Sequence, residues 1–237
     1  MKLKFLQTVF IGLMLIIPIS VSANLISLEV KDGRFCMDNN SDSDQLFNNG
    51  CGGPNYVYYA DNRTLEGGIS DFPRRTRTSS EYDISSLQSD SISNATLKLY
   101  NIVSKDLTLP GHPAPSSELL GYYGNGVVTQ SDMITGNVIQ EFFPEEESFI
   151  ELDVTQFISE LINDSSSYAG FTFRIKNDFQ QGIFANVFFA GEITSGANIN
   201  AQWTPKLIIT TVLEPSTLAI FALGIIGLAS RRFNKQS

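Results

Sequence analysis

One histidine, two cysteines and a scatter of carboxylates set the chemistry open to this 237-residue chain. The histidine, His112, sits in Pro110-Gly111-His112-Pro113, a rigid turn. A serine triad needs an imidazole oriented by a carboxylate and set beside a serine hydroxyl, and nothing around His112 supplies that arrangement. The chain carries no Gly-x-Ser-x-Gly elbow, no zinc-spaced His/Cys group and no phosphate-cradling glycine loop. A glycosidase needs only two carboxyl groups, roughly 5–10 Å apart. The densest acidic run is Glu145-Glu146-Glu147. Its neighbours point in different directions and have no apolar setting to raise a pKa, so it reads as a solvated loop. No catalytic residue is assigned.

Binding chemistry has more candidates. Asp38, Asn40, Asp42 and Asp44 alternate oxygen ligands along one polar segment, a density that suits calcium. The segment departs from an EF-hand, with Ser43 at the turn glycine and Asn49 at the bidentate Glu, and a polar surface loop is the competing reading. Sugar binding needs aromatic faces ringed by hydrogen-bonding groups. Tyr58, Tyr122 and Trp203 are the aromatic candidates, with Tyr56, Tyr59 and Tyr123 beside them in sequence. Arg74, Arg75 and Arg77 form a basic cluster able to meet uronic-acid carboxylates through two-pronged hydrogen bonds. Against this, such aromatics also fill cores and such arginines also pair with surface acids.

Both ends of the chain read as addresses. Lys2 and Lys4, an apolar stretch over 9–17 and the small residues Val21-Ser22-Ala23 have the layout of a signal peptide, residues 1–23. The protein is therefore expected to be exported. At the other end, an apolar run over 218–229 precedes Arg231 and Arg232. As a helix it would reach roughly 18 Å, short of a bilayer core of about 30 Å. Its basic end favours the cytoplasmic side. Residues 213–237 are thus expected to form a short membrane segment, held in the membrane briefly or as a permanent anchor.

Between them lie residues 24–212, one domain's worth of chain. Its 11 Lys and Arg against 24 Asp and Glu give a net charge of −13, which disfavours nucleic acid. In an exported chain the even pair Cys36 and Cys51 reads as a disulfide. It would close a loop of roughly fifteen residues and contribute about 3 kcal/mol.

The elements that must position these groups are mostly strands. Residues 57–60, 74–84, 95–103, 149–152, 171–175, 183–189 and 207–212 are rich in β-branched and aromatic side chains, and several alternate. Asn125-Gly126 between Tyr122-Tyr123 and Val127-Val128 predicts a hairpin turn. One helix is predicted after Asp153, from the stripe Val154, Phe157, Ile158, Leu161 and Ile162. Asp153 caps it, with Gln156 reaching back, and Asn163-Asp164-Ser165 ends it. Many strands, one short amphipathic helix and no βαβ alternation predict an all-β sandwich.

Two resemblances bear on these readings. Glu214-Pro215-Ser216-Thr217, the apolar run and Arg231-Arg232 resemble the PEP-CTERM sorting tail of Gram-negative bacteria, with Leu213 at the motif's usual first proline. That resemblance implies export machinery and an exosortase-type processing enzyme as partners, and a place in the envelope or extracellular matrix. The segments Tyr82-Asp83-Ile84-Ser85-Ser86-Leu87, Ala95-Thr96-Leu97-Lys98-Leu99, Leu152-Asp153-Val154-Thr155 and Pro205-Lys206-Leu207-Ile208-Ile209 resemble, in order, a jelly-roll module. Such modules are similar to carbohydrate-binding and disaggregatase-related modules of secreted proteins. This resemblance implies a jelly-roll-like β-sandwich and polysaccharide as ligand. The function expected is non-catalytic binding, with a polysaccharide hydrolase or lyase and a structural surface protein as alternatives.

Overall fold

In Ala95-Thr96-Leu97-Lys98-Leu99, every second side chain is apolar, and those are the ones that disappear from solvent. A strand turns successive side chains to opposite faces, so this alternation alone decides which face of each strand meets the core. The computed structural model describes residues 23–38, 58–63, 74–87, 91–106, 116–176, 184–189 and 203–212. Within them run the strands β1 (Ala23–Glu29), β2 (Asp32–Asp38), β3 (Tyr58–Arg63), β4 (Arg74–Asp83), β5 (Ser91–Asp106) and β6 (Ser117–Tyr123). After these come β7 (Asn137–Phe142), β8 (Ser148–Asp153), β9 (Tyr168–Ile175), β10 (Phe184–Phe189) and β11 (Lys206–Val212). A single α-helix among the described residues, α1, spans Thr155–Asn163, and short 3-10 turns cover Ser85–Leu87 and Gln130–Met133.

Strand pairing gives two antiparallel sheets. The first is β2-β4-β9-β6-β7 and the second β1-β11-β5-β8. They are joined because two strands are long enough to change partners along their length. β5 pairs with β8 over Thr96–Asn101 and with β10 over Asn101–Asp106. β4 pairs with β3 over Arg74–Thr76 and with β9 over Thr78–Asp83. β10 and β3 pair with each other and complete the link.

One apolar cluster lies between the sheets. Tyr82, Leu119, Phe171, Phe173 and Ile175 come from the first; Leu97, Leu99, Leu152, Leu207 and Ile209 come from the second. Tyr82 meets Phe171 edge-on at 5.8 Å between ring centroids, so its ring serves the core. Val154, Ile158, Leu161 and Ile162 of the predicted helical stripe join the same cluster, and Phe157 packs on it, edge to face with Phe171 at 5.6 Å. Residues Leu25–Thr211 form one compact unit.

Three local expectations need correction. Gln156 does not reach back to the helix start; its amide donates to Glu160 one turn on. The N-cap is Val154, whose side chain makes no capping hydrogen bond; Asp153 stands one residue before it and accepts from the Thr155 amide at 2.9 Å and its hydroxyl at 2.6 Å. Asn125-Gly126 does turn, with Gly126 at φ 91°, but Val127-Val128 forms no return strand. The next strand in the chain to pair with β6 is β7, and 124–136 runs between them as a strap across the first sheet. β1, β2, β6 and β7 were not among the predicted strands. Residues 1–22 and 213–237, and with them the motif Glu214, Pro215, Ser216, Thr217, Arg231 and Arg232, lie outside the described residues. No helix among the described residues is long and apolar enough to cross a membrane.

Candidate functional site

The outer face of the second sheet carries a row of aromatic rings. Thr96, Lys98 and Tyr100 alternate with the buried Ala95, Leu97 and Leu99, so they must face outward. Register then sets Tyr100 opposite Phe149 and Lys98 opposite Glu151 on β8. The Tyr100 and Phe149 rings meet edge to face at 5.1 Å. Trp203, delivered just ahead of β11, lies flat on Tyr100 at 4.4 Å with 6° between planes. Phe149 is 46 % exposed, and Tyr100 and Trp203 are half-buried. Lys98 hangs its ammonium 4.6 Å from the Phe149 centroid and pairs with Glu151 at 2.8 Å. Farther along this face Lys206 pairs with Glu29 at 3.1 Å. An aromatic face bordered by exposed hydrogen-bonding groups can take up the apolar C–H face of a sugar ring while its hydroxyls are met at the edge.

The outer face of the first sheet is built differently. Arg77, Ser79 and Glu81 point to it from β4, and all three are buried. Strand register aligns Asp32, Glu81, Gly170 and Tyr122 in one row across β2, β4, β9 and β6. Because Gly170 has no side chain, the Tyr122 ring lies over it and reaches Glu81; a Cβ there would stand 2.3 Å from the ring. The strap covers this row. Glu81 accepts the amides of Asn125 and Gly126, and Asp32 accepts that of Val128 at 2.8 Å. Arg77 donates to the Met133 carbonyl at 2.9 Å, and Thr172 donates to that of Asp132 at 2.8 Å. Val128 and Met133 tuck in beside Cys36 as a small apolar cluster of their own.

Burial shifts the acids in this row. Desolvation pushes the Glu81 carboxyl above the usual carboxylate range, with Asp132 of the strap adding repulsion; the two amide bonds and the Tyr122 hydroxyl pull the other way without prevailing. Desolvation, then the Glu81 charge, likewise pushes the Tyr122 phenol up. Glu81 Oε1 and the Tyr122 hydroxyl influence each other but form no well-shaped hydrogen bond.

The six sugar-contact candidates therefore separate. Trp203 belongs to the exposed aromatic row, together with Tyr100 and Phe149, which sequence reasoning missed. Arg77 and Tyr122 are 1 % and 2 % exposed beneath the strap, which corrects their reading as surface contacts. The sheet side of that face is polar, and the strap needs hydrogen-bond partners there. Tyr58 pairs with Phe189 and Arg74 with Arg63, while Arg75 pairs with Asn62 and with Asp38; the side chains at these positions lie outside the described residues. So do Asn40, Asp42 and Asp44 of the calcium candidate, along with His112 and Cys51. Cys36 is disulfide-bonded and wholly buried. Glu145, Glu146 and Glu147 are exposed, as a solvated loop requires. Among the described residues no three His, Cys, Asp or Glu side chains are grouped to hold a metal ion.

No family model and no curated protein matches the chain.

Proposed function

We propose that this protein is an exported, non-catalytic carbohydrate-binding component of a Gram-negative cell envelope or extracellular matrix, with a jelly-roll-like sandwich as its binding domain. The observation that carries the reading is the row Trp203, Tyr100 and Phe149 on the outward face of the second sheet. Neutral polysaccharide is the better ligand for it. Lys98 and Lys206 on that face are each already paired with a carboxylate, and Glu151 and Phe149 stand exposed beside one another. The uronic-acid reading leaned on Arg74, Arg75 and Arg77, and of these Arg77 is buried.

A glycan array probed with the full chain tests this. Wild type should retain neutral glycans over uronic-acid ones, and Trp203→Ala with Phe149→Ala should weaken that binding roughly tenfold, as loss of one or two stacking contacts implies. Binding that ignores both substitutions, or a blank array, would sink the carbohydrate reading. The sorting part of the proposal rests on the tail resemblance and has its own test. Mass spectrometry of the protein from its native host should find a C-terminus ahead of Arg231-Arg232, and a product that keeps them would overturn tail removal.

A further inference from the structure

We propose that the strap over 124–136 is a pH-gated cover, tight on the sheet in acid and looser toward neutral pH, and that its loosening uncovers Glu81, Arg77 and Tyr122.

The geometry makes Glu81 the first clamp of the strap. One carboxylate oxygen takes two consecutive strap amides, Asn125 and Gly126. That carboxyl is fully buried, and its other oxygen has no hydrogen-bond partner. The groups around it are mostly acidic or neutral. Asp32 stands directly across from it on β2 and is itself paired with Arg34 of that strand at 3.3 Å, Asp132 approaches from the strap, and Tyr122 reaches it from β6. From β9 comes Gly170 with no side chain, while the Tyr168 ring lies beside Gly124 and Gly126. The nearest cation on its own strand, Arg77, directs one nitrogen to the Met133 carbonyl of the strap. Of the strap's apolar groups only Val128 and Met133 are buried; Val127 and Ile134 stay 51 % and 39 % exposed. The closed position thus depends heavily on polar clamps, and Gly126 and Gly136 near its ends hold the left-handed backbone that lets the chain reverse.

The sign follows from burial. Closed, the strap holds Glu81 where the neutral acid is favoured; open, the carboxyl meets water and titrates in the ordinary range. Closure is therefore strongest below the ordinary carboxylate pKa. It weakens as pH rises from there through the raised value of Glu81, and stays weaker above it.

Hydrogen exchange of the full chain by mass spectrometry reads this directly, in peptides covering 124–136 and corrected for intrinsic rate. Opening should increase between pH 4.5 and 8 by roughly tenfold for each unit by which burial raises the carboxyl, while β9 peptides stay level. Glu81→Gln, which keeps the shape and an acceptor but cannot ionise, should make the strap's exchange independent of pH over that range. Asp132→Asn, which removes the strap charge that repels the Glu81 carboxylate, should move the transition to lower pH. A flat or reversed wild-type profile overturns the proposal, and so does a pH dependence that survives Glu81→Gln. Should Glu81→Gln fail to fold, an unmoved transition in Asp132→Asn overturns it as well.

Discussion

Gly170 acts through the space it leaves. It lies between Glu81 and Tyr122 in a row of directly paired residues, and the Tyr122 ring occupies the volume a side chain would need. Gly170→Ala places a methyl group 2.3 Å from a buried ring, not from a flexible chain end, so ring and strap must shift. The expected cost is about 1–3 kcal/mol, the usual penalty for overpacking a filled site. Urea unfolding should show it as a lower midpoint with unchanged slope. At this scale the sequence was only half legible. Arg77 and Tyr122 stand out in it as polar groups with chemistry to offer, and they do converge, but on the underside of a strap. Their partners, Met133 and Glu81, are 56 and 41 positions away, and no local pattern announces contacts of that range.

Elements are stopped and turned by a device used twice. β4 ends in Asp83-Ile84-Ser85 and β8 in Asp153-Val154-Thr155. In each the aspartate accepts from the backbone amide and hydroxyl of the residue two on, at 3.0 and 2.6 Å in the first and 2.9 and 2.6 Å in the second. The middle residue, Ile84 or Val154, is driven into the core. These hydrogen bonds hold both carboxyls below the usual range. A lowered carboxylate contributes stability that is present above its unfolded pKa, near 3.9, and lost as pH falls through the folded value. Asp153→Ala should therefore cost about 1 kcal/mol or less at pH 6, a modest figure because the site is exposed. The gap from wild type should narrow as pH falls from the ordinary aspartate range through the lowered value, and urea titrations at pH 6 and in acid check both halves. The helix and the alternating strands were legible because a single buried face writes a period into sequence. β6 was not, since Leu119 faces the core while Leu120 and Tyr122 face the strap, which erases the alternation. β7 was missed for the opposite reason, being a short edge strand in which only Phe142 is buried.

At the scale of the molecule, two sheets share one core, and the outer face of the first has a second, smaller anchor. Cys36, Val128 and Met133 form that anchor, so the disulfide-bonded Cys36 packs directly against the strap. The chain-entropy term for a loop of about fifteen residues is roughly 3 kcal/mol. Reduction should lower the unfolding free energy by about that amount, and Cys36→Ala with Cys51→Ala should match it. The location of the loss follows from the packing. Cys36 lies on β2, which among the described strands pairs with β4 alone, whereas the main core is supplied by both sheets and α1. Exchange in the reduced protein should therefore rise first in β2 and the strap, with β5 and β9 keeping their protection until global unfolding. Uniform loss across β5, β9 and the strap would mean instead that the disulfide supports the core as a whole, and that the strap's anchor is no separate unit.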